Sequence, residues 1–149
     1  MHSTDPNLEK RIRASFAQQS LMTTIGARMT KVSPGEVVIE LPFRSDLTQQ
    51  HGFVHAGVIT AIVDSACGYA ALSLMPPDSG VLTVEYKANF VSPAKGEKFI
   101  ATGRVVKPGR TLTVCSGDVV AVEEGNEKIV ATMLATMMRL REKGSSSNE

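Results

Sequence analysis

Asp64 is the only formally charged side chain between Gln49 and Pro77, in the stretch QQHGFVHAGVITAIVDSACGYAALSLMPP. An unpaired buried charge costs several kcal/mol, so this carboxylate either has hydrogen-bond donors nearby or faces a wet cleft. Burial and positioned donors are also what turn a carboxylate into a base or a nucleophile. Two interpretations therefore stand side by side: a hydrogen-bonded structural acid and a catalytic carboxylate.

The start of the same stretch offers hydrogen-bond donors. A helix that begins near His55 leaves the backbone N–H groups of Ala56 and Gly57 without partners inside the helix. Such groups attract an anion or a polarised carbonyl, which is what an oxyanion hole requires. Together with a carboxylate they favour chemistry at a carbonyl group.

The spacing of these groups predicts a site that two chains share. Ala56 and Asp64 are eight residues apart, which on one helix is about 12 Å along the axis. A reacting carbonyl must lie roughly 3 Å from its donors and close to the base, so it cannot easily use both groups of one chain. Two antiparallel copies of the helix would bring them together, and we therefore expect a two-fold dimer.

A buried helix must position these groups. From Gly57 to Leu74 the residues are small or apolar nearly all round, which predicts a helix buried on most of its faces, ended by Pro76 and Pro77. The internal carboxylate and glycines, and the absence of Lys or Arg at the ends, disfavour a membrane span. We expect no membrane partner.

The rest of the chain predicts a curved antiparallel sheet. EVVIEL, residues 36–41, is a strand between turns, and three later strands are KFIATGRVVK, TLTVCSGDVVAV and KIVATMLATMMRL. Residues 82–90 alternate with period two, with Leu82, Val84, Tyr86, Ala88 and Phe90 on one face and Thr83, Glu85, Lys87 and Asn89 on a wet or functional face. About five or six such strands can cover the central helix only by curving around it, so we predict an α+β fold.

The length and the two ends of the chain predict one domain over residues 1–141. Asp5 and Pro6 are typical of a helix start, and the apolar spacing behind them predicts a helix over about residues 6–20. The tail, residues 142–149, is polar and is predicted to be disordered.

Composition and charge exclude several classes of function. The chain has 16 Lys and Arg against 15 Asp and Glu, with no long basic run, so we expect no nucleic-acid partner. Its two cysteines show neither metal-binding spacing nor a disulfide framework, and its first residues lack an apolar signal core. These features predict a cytoplasmic protein.

The segments QQHGFVHAGVITAIVDSACGYAAL and LTVEYKANFVSPAKGEKFIATGRVVKPGRTLTV resemble the hotdog-fold acyl-CoA thioesterases of the PaaI-like group. In that family the central helix opens with His-Gly-Gly, and an acidic residue follows eight positions after the first glycine. The resemblance covers residues 32–140 and implies hydrolysis of acyl-CoA to a free acid and coenzyme A. It also implies a homodimer or a tetramer built from two such dimers, and neither a metal nor an organic cofactor.

The resemblance assigns a role to each matching position. Asp64 corresponds to the acid that activates water or attacks the thioester, and Thr83 to the hydroxyl residue that assists it. His55 corresponds to the histidine next to the substrate, and Ala56 to the residue whose amide polarises the thioester carbonyl. Gln49 falls where these enzymes often have Asn, and it would orient water or substrate.

Two positions depart from the family pattern. Ala56 replaces the first glycine, so its N–H remains but a methyl group crowds the carbonyl pocket. Gln49 is one methylene longer than Asn. Neither change removes the chemistry.

Further residues are candidates for substrate binding. Gly57 lies at the helix start, and Phe53 either packs in the core or lines an acyl tunnel, as does Tyr69. The basic turns that hold Lys95 and Arg110 correspond to turns that face the coenzyme A nucleotide in similar enzymes, and Lys and Arg suit its phosphates.

Each functional interpretation has an alternative. His55 is also an ordinary cap residue, Thr83 is also a good strand former, and basic turns are common on surfaces. The alternative function is a hotdog protein that binds an acyl-CoA or aromatic ligand without hydrolysing it.

Overall fold

The computed structural model describes residues 5–141, which begin with two short helices, α1 (Leu8–Ala17) and α2 (Ser20–Ile25). A single helix from residue 6 was expected. Instead Asn7 is the N-cap of α1, and the Asp5 carboxylate accepts a hydrogen bond from the Asn7 amide at 2.9 Å, which holds a turn ahead of the helix. Gly26, with a φ of 80°, ends α2. The tail predicted to be disordered lies outside the described residues.

Six antiparallel strands follow in a single sheet of order β1-β2-β4-β5-β6-β3. The strands are β1 (Arg28–Ser33), β2 (Glu36–Pro42), β3 (Ser79–Phe90), β4 (Lys98–Lys107), β5 (Leu112–Glu123) and β6 (Asn126–Arg141). The sequence did not indicate β1, because Met29 is its only buried residue and no alternation repeats. The predicted α+β hotdog fold is confirmed.

Helix α3 (Ala56–Ser73) lies across the sheet and packs against all six strands. It is long and apolar enough to cross a membrane by length and composition, with a mean hydropathy of 1.4. Its packing explains that composition, since 61% of the same 18 residues are buried inside the protein. The helix predicted for residues 57–74 is confirmed to within one residue at each end.

Two glycines of the sheet let α3 approach closely. A Cβ atom on Gly103 of β4 would lie 2.3 Å from the carbonyl carbon of Ala66, and one on Gly117 of β5 would lie 2.6 Å from Val63 Cγ2. Both positions therefore need a residue without a side chain. These contacts hold the middle of α3 against the sheet, within one turn of Asp64.

A β-bulge in β3 changes which side chains face the helix. Thr83 pairs with Met137 and Tyr86 with Ala135, both buried, while the register shifts between Thr83 and Glu85. Because cross-strand partners share a face, Thr83 points toward the helix together with Tyr86. The strict alternation expected from the sequence placed these two residues on opposite faces and was wrong there.

Candidate active site

Asp64 and Thr83 form a hydrogen-bonded pair between α3 and the edge strand β3. The Thr83 hydroxyl donates to Asp64 Oδ1 at 2.7 Å. Asp64 is half-buried in the middle of the helix, and the bulge in β3 is what turns Thr83 toward it. Both residues line a cavity of about 590 Å³, so this carboxylate faces open space rather than a closed core.

The pKa of Asp64 is raised, and two opposing effects determine it. Burial disfavours the charged carboxylate and raises the pKa, and this effect is the larger one. The hydrogen bond from Thr83 stabilises the carboxylate and lowers the pKa. A carboxylate with a raised pKa is a stronger base than an ordinary aspartate once it is ionised.

The start of α3 leaves one backbone donor free. His55 is the N-cap, and its Nδ1 accepts a hydrogen bond from the Gly57 amide at 2.8 Å. Gly57 therefore has no amide hydrogen to offer a substrate, contrary to the expectation that both amides would be available. The Ala56 N–H has no partner among residues 5–141 and can donate to a carbonyl oxygen. The same bond places the proton of a neutral His55 on Nε2.

Gln49 lies in the loop before α3, with its amide group oriented by the backbone. Its Oε1 accepts hydrogen bonds from the backbone N–H groups of His51 and Phe53. The N–H groups of the side chain therefore remain available as donors. Gln49 lines a second cavity, of about 430 Å³, together with Phe53 and Ala56.

The groups of the expected site line two different cavities of one chain. Asp64 and Thr83 line the first, while Gln49, Phe53 and Ala56 line the second, and none of residues 5–141 lines both. One chain thus presents the carboxylate and the amide donor in separate places, as the spacing of Ala56 and Asp64 predicted.

Lys95 and Arg110 lie far apart in one chain. Lys95 belongs to the loop between β3 and β4, 3.9 Å from Glu123 Oε1, and Ala94 beside it accepts a hydrogen bond from the Val54 amide near the start of α3. Arg110 is in the turn between β4 and β5 and lines a small cavity with Leu74 and Met75, just beyond the end of α3. A single chain does not bring them to the same ligand.

The two cysteines are not activated as nucleophiles, and the described residues form no metal-binding cluster. Burial raises the pKa of the Cys67 thiol and raises that of Cys115 to about 11, so neither is a thiolate near neutral pH. Within residues 5–141 no three His, Cys, Asp or Glu side chains lie close enough together to hold a metal ion.

One wall of the Asp64 cavity was not predicted from the sequence. Arg11, Ser15 and Gln19, from α1 and the residues after it, line the cavity opposite α3. These residues are spaced as on the solvent-exposed polar face of an amphipathic helix. Periodicity therefore does not distinguish a cavity wall from a surface that faces water.

Comparison with known proteins yields a matching family and close relatives. The family described as "Thioesterase superfamily" matches residues 51–128. A solved thioesterase family protein from Silicibacter pomeroyi is 51% identical, with a TM-score of 0.89, and the match covers 90% of this chain and 98% of that one.

Two curated relatives match most of the chain. Acyl-coenzyme A thioesterase 13 of Homo sapiens is 31% identical over 79% of this chain and 85% of the relative. The 1,4-dihydroxy-2-naphthoyl-CoA hydrolase of Listeria monocytogenes is 24% identical over 78% of this chain and 93% of the relative.

Proposed function

The chain belongs to the thioesterase superfamily, and from that premise we propose that it hydrolyses acyl-CoA thioesters to a free acid and coenzyme A. The observation that supports this best is the half-buried Asp64, hydrogen-bonded to Thr83 at 2.7 Å on the wall of a 590 Å³ cavity. The human and Listeria relatives, named as a thioesterase and as a hydrolase of a CoA thioester, agree with it.

In the proposed reaction the thioester oxygen accepts a hydrogen bond from the Ala56 amide, which polarises the carbonyl. Asp64 removes a proton from water as the water oxygen bonds to the carbonyl carbon, or it attacks that carbon itself and forms an anhydride that water then cleaves. The carbon–sulfur bond breaks, and the thiolate of coenzyme A leaves and takes up a proton. The side-chain N–H groups of Gln49 and the Nε2–H of His55 orient the water and the carbonyl.

In the proposed homodimer, one chain supplies the Asp64 carboxylate of a site and its partner supplies the Ala56 amide. In the single chain β3 is an edge strand whose apolar side chains Leu82, Val84, Tyr86 and Phe90 are each about half exposed, at 51, 49, 51 and 50%. A long apolar edge strand is a template for pairing with another strand. Antiparallel pairing of two β3 strands would cover these side chains.

The two ends of β3 border the two different cavities. Leu82 and Thr83 line the Asp64 cavity, and Phe90 and Val91 line the Ala56 cavity. If Tyr86 lies near the two-fold axis, residue 82 of one strand lies opposite residue 90 of the other, because antiparallel partners run in opposite directions. The carboxylate of one chain then meets the amide donor of its partner, and two equivalent sites result.

Coenzyme A would extend from this shared site toward the surface turns. Lys95 is close to the start of α3, and Arg110 is beyond its end, so the two-fold arrangement brings these basic turns from different chains toward one site. Phosphate groups suit both side chains. The free, buried cysteines fit a reducing compartment such as the cytoplasm.

The test is release of coenzyme A from a panel of acyl-CoAs by wild type and Asp64→Asn. Asn retains the acceptor for Thr83 but cannot act as a base, so we expect kcat to fall by at least about a hundredfold. Asp118→Asn is the matched control, because Asp118 pairs with Arg104 at 3.1 Å and lines neither of these two cavities.

Two results would contradict the proposal. Unchanged turnover in Asp64→Asn would remove Asp64 from the mechanism. Calorimetric binding of acyl-CoA by wild type, without turnover of any thioester, would instead establish the alternative, a binding protein of the same fold.

A further inference from the structure

The wall that α1 contributes to the Asp64 cavity is polar, although an acyl chain is apolar. We propose that this wall selects acyl groups that bear a hydrogen-bond-accepting oxygen at the end remote from the thioester. This inference rests on the proposed function, because it assumes that the acyl group occupies the cavity beside Asp64. It concerns Arg11, Ser15 and Gln19, none of which takes part in the proposed chemistry.

The contacts along α3 give the cavity a direction. Ser65, next to Asp64, donates a hydrogen bond to Gln19 Oε1 at 2.9 Å. One turn further along, the Tyr69 hydroxyl contacts Ser15 Oγ at 3.2 Å. Arg11 lies beyond these, since it also lines the neighbouring cavity with Ser73 and Leu74 at the end of the helix.

The cavity thus extends about two helical turns from Asp64, or about 12 Å. Leu72 lines it at the far end, where Arg11 is the charged group. At roughly 1.3 Å per bond, an extended eight-carbon acyl chain with a terminal oxygen spans about 10 Å, most of this distance, and would place its last atoms near Arg11 and Ser15.

The polar cluster in the middle of the wall leaves a hydroxyl proton to donate. Gln19 Nε2 donates to the Tyr69 oxygen at 3.3 Å, because its Oε1 already accepts from Ser65. The Tyr69 proton can then bond to Ser15 Oγ, and the Ser15 proton is left over. Such a chain of hydrogen bonds is cooperative, so Ser15 is a good donor toward a ligand oxygen.

Arg11 provides a second donor at the far end. Its guanidinium is 3.6 Å from Asp5 Oδ2, its side chain is only 22% exposed, and its Nε is buried without a hydrogen-bond partner within the described part of the chain. Arg11 and Ser15 are four residues apart and therefore lie on the same face of α1.

Both groups donate hydrogen bonds, so a ligand must supply an acceptor. A plain alkyl end would desolvate the Ser15 hydroxyl and the unpartnered Nε of Arg11 without supplying an acceptor, which is costly in a buried place. A terminal hydroxyl or carboxylate would pair with them. A carboxylate would also pair with the Arg11 charge, so the two oxygen types can be distinguished by experiment.

The experiment compares octanoyl-CoA with 8-hydroxyoctanoyl-CoA and octanedioyl-CoA as substrates of wild type, Arg11→Met, Ser15→Ala and Lys10→Met. For wild type we expect kcat/KM to be about tenfold higher or more for at least one oxygenated substrate, as a charge-assisted hydrogen bond allows. Arg11→Met should abolish a preference for the diacid, and Ser15→Ala should reduce a preference for the alcohol. Lys10 is an exposed cation on the same helix that does not line the cavity, so Lys10→Met should retain both preferences.

Binding without turnover separates this inference from the proposed function. Calorimetry on Asp64→Asn gives Kd values for the same three thioesters, and we expect the same order of preference as in turnover. The double variant Asp64→Asn, Arg11→Met should lose a preference for the diacid in Kd as well. Turnover or binding with no preference for an oxygenated chain, or a preference that survives both Arg11→Met and Ser15→Ala, would overturn the inference. An absence of turnover with the preference still present in Kd would contradict only the hydrolysis.

Discussion

At the scale of single residues, the chemistry of the candidate site depends on small local arrangements. The pKa of Asp64 reflects burial against one hydrogen bond from Thr83. The donor at the start of α3 is Ala56 and not Gly57, because His55 already accepts the Gly57 amide hydrogen. Each arrangement leads to a substitution that changes a single contact.

Replacing Thr83 by Val should shift the pH dependence of activity. The proposed mechanism needs an ionised Asp64, so we expect activity to fall as the pH falls through its pKa. Thr83 lowers that pKa, and Val has the same shape without the hydroxyl. We therefore expect the acidic limb of the kcat/KM profile to move to higher pH in Thr83→Val.

The chain offers a matched control for this shift. Thr136 donates a comparable hydrogen bond, 2.8 Å long, to the carboxylate of Glu85, and it does not line the Asp64 cavity. Thr136→Val should leave the acidic limb in place. An acidic limb that stays unchanged in Thr83→Val would mean that this hydroxyl does not influence the catalytic ionisation.

Replacing Ala56 by Pro would remove the free amide hydrogen and put the Cδ of the proline ring in its place. Ala56 is the first residue of α3, where Pro is well tolerated, and the preceding His55 has the extended conformation, φ −57° and ψ 137°, that a residue before Pro requires. We expect kcat to fall by about 10²–10³-fold, as for other lost oxyanion donors, with little change in the free energy of unfolding.

The comparison variant for Ala56→Pro is Ala56→Gly, which removes the methyl group and retains the N–H. Steady-state kinetics and denaturant unfolding on both variants separate the donor from the methyl group. Full activity in Ala56→Pro would show that the carbonyl is polarised elsewhere.

At the scale of the elements, the position of Asp64 depends on how closely α3 approaches the sheet. The helix lies directly on Gly103, where a Cβ atom would come within 2.4 Å of Ala66 O and Cys67 N. Backbone atoms in a packed helix cannot move aside as a side chain can. The glycines of β4 and β5 are thus part of what positions the carboxylate.

Two Gly→Ala substitutions should have opposite effects on stability. Gly103→Ala should lower the free energy of unfolding by about 3 kcal/mol or more, because it overpacks the contact between α3 and β4. Gly68, inside α3, has open space where a Cβ would lie, so Gly68→Ala should raise it by about 1 kcal/mol through helix propensity. Denaturant unfolding at one protein concentration measures both. Equal effects would contradict the close approach of helix and sheet.

At the scale of the whole molecule, the proposed function requires two chains. One chain has the carboxylate on the wall of one cavity and the amide donor on the wall of another. Its edge strand β3 exposes apolar side chains on both of its faces and borders both cavities. Self-association through β3 is therefore a requirement of the chemistry as well as a way to bury apolar surface.

Mixing two inactive variants should restore activity. Asp64→Asn retains the amide donor and Ala56→Pro retains the carboxylate, so a mixed dimer has one intact site if the site takes one group from each chain. Random mixing would then give about a quarter of wild-type activity, since half of the dimers are mixed and each has one of two sites intact. Co-expression with two affinity tags, followed by a coenzyme A release assay, measures this. No recovery in purified mixed dimers would show that each site lies within one chain.

Residue patterns along the chain were enough to predict the elements whose burial is local and repetitive. The all-round apolar character of residues 57–74 predicted the central helix, and strand periodicity with Gly and Pro turns predicted five of the six strands. The isolation of Asp64 among apolar residues identified the candidate carboxylate, and its distance from Ala56 predicted that one chain would keep the two groups apart. The helix and the strands were predictable because burial leaves a periodic pattern in the residues that it covers, whereas the catalytic role of Asp64 stays a prediction.

Contacts between segments distant in sequence became visible in the folded chain and not before. The bulge that turns Thr83 toward Asp64 depends on the pairing of β3 with β6. The strand β1 has too little burial to leave a pattern. The wall formed by Arg11, Ser15 and Gln19 exists because α1 packs beside α3, and its polar residues would look the same on a helix facing water. Periodicity indicates whether a side chain is buried. Which residue that side chain contacts depends on the path of the whole chain.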